Sequence, residues 1–294
     1  MAAPIFDRVA IIGIGLIGSS LARVIRRDNP ATHIVACARH ADTLASVRRL
    51  EIADETTDDP VAAVAGADLV VLATPLSAYA AIAARIAPAL KPGAIITDVG
   101  SVKEAAIRDI APALPAGVHF VPGHPVAGTE HSGPEAGFAE MFADRWCILT
   151  PLPDTAPEAV AKVTALWQLA KMKVVTMPAE HHDRVLAVTS HLPHLIAYTI
   201  VGTATELGED LQSEVVAYSA GGFRDFTRIA ASDPVMWRDI FLANSEAVLE
   251  LLQRFSEDLT ALQRAIRRGD GETLFDWFTR TRAIRRSIIE AKQA

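Results

Sequence analysis

Three short stretches of this chain combine turn-forming glycines with side chains able to bind or transfer charge. The first runs from Val9 through Gly13-Ile14-Gly15-Leu16-Ile17-Gly18 to Ala22, an apolar strand signal, a G-x-G-x-x-G turn and an apolar helix start. Glycines at that spacing let the backbone approach a pyrophosphate, which then rests on the N–H groups of the helix N-terminus. Gly13, Gly15, Leu16, Ile17 and Gly18 are the expected contacts. The second stretch is Thr97-Asp98-Val99-Gly100-Ser101-Val102-Lys103, and the third runs from Pro122-Gly123-His124-Pro125 to Gly133. A lone histidine in a loop is usually structural. One bracketed by Gly and Pro, after a strand at the ligand-binding edge of a doubly wound sheet, reads as functional.

Two further positions bear on a dinucleotide. The usual fingerprint ends its second strand with an acid that bonds the ribose hydroxyls. Here that strand ends Ala36-Cys37-Ala38-Arg39-His40, with no acid before Asp42. An arginine there pairs with a 2′-phosphate and stacks on adenine, so the expected cofactor is NADP or NAD, leaning to NADP. Thr74 and Pro75 close the third strand and are expected beside the cofactor.

The elements that must position these groups alternate through the first half. Strands are expected at 8–12, 33–38, 68–73, 94–98, 118–121 and 146–150, with helices at 16–27, 42–50, 60–65, 77–89 and 102–112. A helix at 157–170 and a strand at 173–177 follow. That order predicts an α/β fold, a Rossmann-type doubly wound, mostly parallel sheet. From 179 onward helical patterns dominate, over 179–207, 211–219, 234–268 and 270–291. Residues 1–177 therefore read as a dinucleotide-binding domain and 178–294 as a helical substrate and dimerisation domain. Leu249, Leu252, Phe255, Leu259, Leu262 and Ile266 recur at helical spacing and read as core. Asp270 is expected to cap the last helix.

Composition narrows the function classes. With 294 residues, half of them hydrophobic, a sizeable core is easily built, and a net charge of −7 disfavours nucleic acid or anionic membranes as partners. Cys37 and Cys147 lie in apolar runs and read as buried thiols of a reducing compartment. Asp7 and Arg8 interrupt any signal-peptide pattern. Val185–Leu207, charged only at Glu206, is long enough to span a bilayer. Its histidines, Pro193 and threonines favour a buried interface helix instead, so the protein is expected to be cytoplasmic.

Taken together, the motifs resemble the prephenate/arogenate dehydrogenases of tyrosine biosynthesis. The resemblance spans essentially the whole chain. It rests on the glycine turn, Asp98-Val99-Gly100-Ser101-Val102-Lys103, Gly123-His124-Pro125-Val126-Ala127-Gly128-Thr129-Glu130, Ser190-His191-Leu192-Pro193-His194, Gly221 through Ala230, and Asp233-Pro234-Val235-Met236-Trp237. It implies NAD(P)-dependent oxidative decarboxylation of a cyclohexadienyl acid. Hydride leaves the hydroxyl-bearing ring carbon, carbon dioxide leaves the opposite carbon, and the ring becomes aromatic.

The resemblance also implies roles. His124 matches the catalytic histidine, which as a neutral imidazole draws off the hydroxyl proton. Ser101 matches an active-site serine that orients the histidine and the hydroxyl; it is also placed to cap the helix beginning near Val102. Arg228 falls on a substrate-binding arginine and His194 on a substrate-binding histidine. His191, Thr129, Glu130 and Asp183 join the expected substrate region, while Arg224 reads as structural. Trp237 reads as core or pocket lining. His131 stands where many members carry lysine. No metal is expected. The implied partners are prephenate or arogenate and a second copy of the chain in a homodimer.

Other classes fit less well. A 3-hydroxy-acid dehydrogenase would lean on a lysine of the helical part, where this chain offers histidines. A metal-dependent hydrolase on His124, His191 and His194 lacks an acidic base in the same helix and leaves the glycine turn unexplained. A catalytically silent dinucleotide sensor would not need His124, Ser101 and Arg228 together.

Overall fold

A computed structural model describes residues 3–206 and 221–290. It divides into two compact units, Met1–Ser245 and Glu246–Ala294. The expected helix at 211–219 lies outside the described residues, as do the ends of those written to 207 and 291.

The first unit begins with β1 (Arg8–Ile12), α1 (Leu16–Asp28), β2 (His33–Cys37), α2 (Ala41–Arg49), β3 (Glu55–Thr57), α3 (Pro60–Val64) and β4 (Leu69–Leu72). It continues through α4 (Tyr79–Ile86), β5 (Ile95–Asp98), α5 (Lys103–Ile110) and β6 (His119–Val121). The sheet order is β3-β2-β1-β4-β5-β6, and every pairing is parallel. This is the doubly wound order whose ligands lie beyond the strand carboxyl ends. Because side chains alternate across a strand, Val9 and Ile11 enter one buried cluster while Ala10 and Ile12 enter the other, on opposite faces of the sheet. The short edge strand β3 has no apolar signal in Glu55-Thr56-Thr57 and escapes the pattern reading.

The later strands depart from expectation. β7 (Gly123–Pro125), β8 (Trp146–Leu149) and β9 (Lys173–Thr176) form a separate three-stranded sheet, with α6 (Pro157–Leu169) between β8 and β9. β7 runs antiparallel to β8, while β8 and β9 are parallel. Pro122, which has no N–H to extend the first ladder, separates β6 from β7. His124 is consequently a strand residue paired with Ile148, not a loop residue.

The helical part comprises α7 (Ala179–Leu186), a π-turn at Ala187–His191, α8 (Leu192–Thr205), α9 (Gly221–Thr227), a 3-10 turn at Arg228–Ala231 and α10 (Pro234–Ala243). Pro193 lacks an N–H and its ring excludes the carbonyl four residues back, so the helix widens at the π-turn. The expected helix over 234–268 is two helices, because Asn244 leaves helical geometry at φ −110° and ψ 33°. α11 (Ser245–Arg268) and α12 (Gly271–Glu290) form the second unit. Asp270 caps α12 as expected, accepting from the Thr273 N–H at 3.0 Å. The stripe read as core is largely open in the single chain: Leu249, Leu259 and Ile266 are exposed, as are Phe275, Phe278 and Ile284 of α12. Two helices alone cannot enclose an apolar face of that width.

Candidate active site

The glycine turn is built as dinucleotide binding requires. Gly13 has φ +93°, and a Cβ there would lie 2.4 Å from the Ala73 carbonyl oxygen. At Gly18 a Cβ would lie 2.2 Å from the Gly13 carbonyl oxygen, so both glycines are demanded by the protein itself. Gly15 differs, since a Cβ there meets nothing within 4 Å. The open space lies before the α1 N-terminus, which has no side-chain cap and no acid in its first turn. Its unclaimed amides, from Leu16 onward, suit a pyrophosphate. Thr74 Oγ1 is buried without a hydrogen-bond partner at the same sheet edge, an orphan that a ligand would satisfy. Pro75 is exposed beside it. Arg39 stands exposed after β2 and makes no ion pair with another described residue. These residues fit a nicotinamide dinucleotide.

His124 is buried at 7% exposure and is oriented from below. Its Nδ1 lies 2.8 Å from His182 Nε2, and His182 Nδ1 lies 2.7 Å from Asp183 Oδ1. A carboxylate only accepts, so His182 donates from Nδ1 and accepts at Nε2. His124 must then donate from Nδ1, which leaves its Nε2 lone pair as the basic site. Burial, with His182 and Lys103 nearby, pushes the His124 pKa well below the usual histidine range. Burial likewise lowers His182, against the opposing pull of Asp183. The pair is therefore neutral at physiological pH.

Asp183 anchors the chain. Besides His182 it accepts from the Lys103 N–H at 2.7 Å and the Glu104 N–H at 2.9 Å, thereby capping α5 from another helix. Asp183 is buried at 1% exposure with both oxygens engaged, so it sits behind the site as part of its frame. One expectation is corrected. Ser101 does not cap α5, which begins at Lys103 after Val102, and it makes no hydrogen bond to His124. It stands half-buried at the end of the β5 turn.

The remaining candidates divide. Arg228 Nη1 pairs with Glu130 Oε2 at 3.1 Å, with side chains 59% and 31% exposed. Its own backbone N–H and the Arg228 charge hold the Glu130 carboxyl below the ordinary range. Thr129 is exposed in the same loop, its Oγ1 accepting from the His131 N–H. His194 stacks on Trp237 with centroids 3.7 Å apart and planes at 23°. Its Nδ1–H donates to the Ser190 carbonyl at 2.8 Å, leaving Nε2 as an acceptor. His191 is 0% exposed, and its Nε2 is buried with no hydrogen-bond partner among the described residues. It packs edge-on to Trp237 and accepts at Nδ1 from the Asn244 amide at 3.0 Å. That amide also donates to the Asp183 carbonyl. Burial pushes the His191 pKa down to about 4. His182 and Asn244 were not singled out from sequence; the only sign of His182 is its place beside Asp183.

Comparison with known proteins follows this geometry. Residues 21–176 match the family described as prephenate dehydrogenase, nucleotide-binding domain, and residues 178–280 match prephenate dehydrogenase, dimerization domain. The chain is 43% identical to the cyclohexadienyl dehydrogenase of Zymomonas mobilis over 97% of each protein. It superposes at a TM-score of 0.89 and 34% identity on prephenate dehydrogenase from A. aeolicus in complex with hydroxyphenyl propionate and NAD+, covering 98% of this chain and 99% of that one. Synechocystis arogenate dehydrogenase superposes at 0.76 with 26% identity, over 95% and 98% of the two chains.

Proposed function

This chain belongs to the prephenate dehydrogenase family, and on that premise we propose how its residues divide the work. It is an NAD(P)-dependent prephenate/arogenate dehydrogenase, an oxidoreductase of tyrosine biosynthesis that acts on a small molecule and assembles as a dimer. The cofactor, bound across the strand carboxyl ends, supplies the hydride acceptor. Gly13, Gly15, Leu16, Ile17 and Gly18 hold its pyrophosphate, with Thr74 and Pro75 along one side.

His124 is the general base in this reading. Its Nε2 lone pair accepts the ring hydroxyl proton as hydride leaves the same carbon. Carbon dioxide departs from the opposite carbon, and its bonding electrons complete the aromatic ring. The imidazolium then returns the proton to the phenolate oxygen. Aromatisation drives the sequence, so the protein mainly orients the acid and manages one proton. The hydrogen-bonded chain from His124 through His182 to Asp183, which fixes the tautomer, is the observation that carries this assignment. Ser101 supplies a hydroxyl to the same ring oxygen. Arg228, freed from Glu130 or shared with it, binds a carboxylate through its planar fork. His194, held flat on Trp237, contacts the substrate through Nε2, and Thr129 lines the entrance.

Arg39 favours NADP, because an exposed guanidinium after β2 suits a 2′-phosphate and the acid expected of an NAD site is missing. We take 1–177 as the cofactor part and 178–294 as the substrate and dimerisation part. The compact division at Ser245 reflects how tightly α7 is hydrogen-bonded to α5. The dimer is a homodimer of a cytoplasmic protein, without nucleic-acid or membrane partners. One helical stretch, Ala179–Ala204, is apolar and long enough to cross a bilayer. It also carries buried His182, Asp183 and His191, whose hydrogen bonds tie it to the rest of the first unit.

Steady-state rates with prephenate and arogenate, each with NAD and NADP, test the reading. Turnover of either acid, more efficient with NADP, is expected. A folded dimer that binds cofactor but turns over neither acid contradicts it.

A further inference from the structure

Beneath the two catalytic motifs lies an ion pair that the reaction does not itself require. Asp98 and Lys103 have side chains at 0% exposure. Lys103 Nζ donates to Asp98 Oδ2 at 2.5 Å and to the Gly123 carbonyl at 2.6 Å. Asp98 Oδ1 accepts from the Gly123 N–H at 3.2 Å. Asp98 Oδ2 also accepts from the Gly100 N–H at 2.9 Å and the Tyr79 hydroxyl at 3.2 Å. Gly123 is thus gripped at its N–H by one member of the pair and at its C=O by the other. Gly123 precedes His124, and Gly100 precedes Ser101. There is no slack, since a Cβ on Gly100 would lie 2.8 Å from the Tyr79 hydroxyl and one on Gly123 3.2 Å from the Asp98 carbonyl oxygen.

Stability alone does not account for such a pair. Removing two charges from water costs about what their attraction returns, and an apolar pair of similar volume often serves a core equally well. What an apolar pair cannot do is aim at particular peptide groups. We propose that Asp98 and Lys103 form a positioning clamp for the dehydrogenase reaction, fixing the Gly100 and Gly123 peptides and with them the relative placement of Ser101 and His124. The clamp also sets the Lys103 side chain near His124. This inference rests on the reading of His124 as that base. His124 is faced by Lys103 from α5, His182 from α7, His191 from the π-turn and Cys147 from β8, with Asp98 and Asp183 behind them. Of the pair, Lys103 is the member whose charge bears on His124, so its loss makes His124 easier to protonate even when Asp98 is neutralised with it, and the acid side of the rate profile moves to higher pH.

The test is the paired variant Asp98→Asn with Lys103→Met, which leaves no buried charge uncompensated. The expected result is a kcat lower by about tenfold to a hundredfold, as for misplaced reacting groups. KM for acid and cofactor should change little, and the acid limb of kcat/KM should shift upward. A folded paired variant with unaltered kcat and acid limb overturns the proposal. Should the variant not fold, amide exchange in the unsubstituted enzyme decides. Gly100 and Gly123 protected like core strands support the clamp, and exchange at surface-loop rates overturns it. Failure of the unsubstituted enzyme to turn over either acid contradicts the functional reading instead, and leaves the exchange result to judge the clamp.

Discussion

His124 Nδ1 donates to His182 Nε2 across 2.8 Å, joining two residues 58 positions apart in the chain. That one bond decides which nitrogen of His124 keeps its lone pair, and on the proposed reading that nitrogen, Nε2, is the base. Its far end is held by Asp183, whose carboxylate sits on the N-terminus of α5, where the helix dipole favours negative charge. His124 is thereby referenced to the helix that follows the Ser101 turn.

Replacing His182 with Phe keeps a planar ring and removes the acceptor for Nδ1–H. The kcat is expected to fall by about a hundredfold, as for a misoriented catalytic group. The cofactor dissociation constant should be unchanged, because the hydrogen bonds of His182 run to His124 and Asp183 and not to the glycine turn. A kcat within twofold or so of the parent would show that His124 needs no orienting partner.

Asp183→Asn retains one acceptor but turns an amide toward a backbone donor. The lost cap should cost about 1–2 kcal/mol of stability, measurable by urea unfolding. An unchanged unfolding midpoint would contradict the capping assignment.

Acid should destabilise the fold through the buried histidines. In His124, His182 and His191 the folded pKa lies below the unfolded one, so the unfolded chain binds more protons as pH falls. Their contribution is complete above about pH 6.5, the unfolded value, and is lost progressively below it. For His191, with a folded value of about 4, the loss amounts to about 3 kcal/mol on reaching pH 4. Urea unfolding at a series of pH values measures it, and His191→Phe should flatten the slope. An equally steep slope in that variant would contradict the assignment to His191.

Arg39→Ser should lower kcat/KM for NADP by about tenfold to a hundredfold, the worth of a charge-assisted hydrogen bond. Efficiency with NAD should hold. Equal losses with both cofactors would mean that Arg39 does no more than stack on adenine.

Much of this was legible in the chain because the signals are local. The glycine turn, the parallel strands and the Asp270 cap each depend on residues a few positions apart. Short apolar runs mark β1, β2 and β4 because both faces of the sheet are buried. What escaped depends on long-range pairing. Nothing local announces that Pro122 diverts the chain so that His124 pairs with Ile148, or that Asp183 caps a helix 80 positions earlier. Asn244 breaks a convincing amphipathic run because its amide is recruited by His191 and the Asp183 carbonyl. The stripe from Leu249 to Ile266 reads as core by its spacing, yet Leu249, Leu259 and Ile266 are exposed, because periodicity marks an apolar face without saying what covers it.

The most direct test of the central claim is His124→Asn, assayed with the preferred acid and cofactor alongside a cofactor-binding titration. The account predicts a kcat lower by about a hundredfold to ten-thousandfold, the usual worth of a positioned general base, with cofactor affinity retained. A kcat within a few-fold of the parent, in a folded dimer that binds cofactor normally, would contradict it.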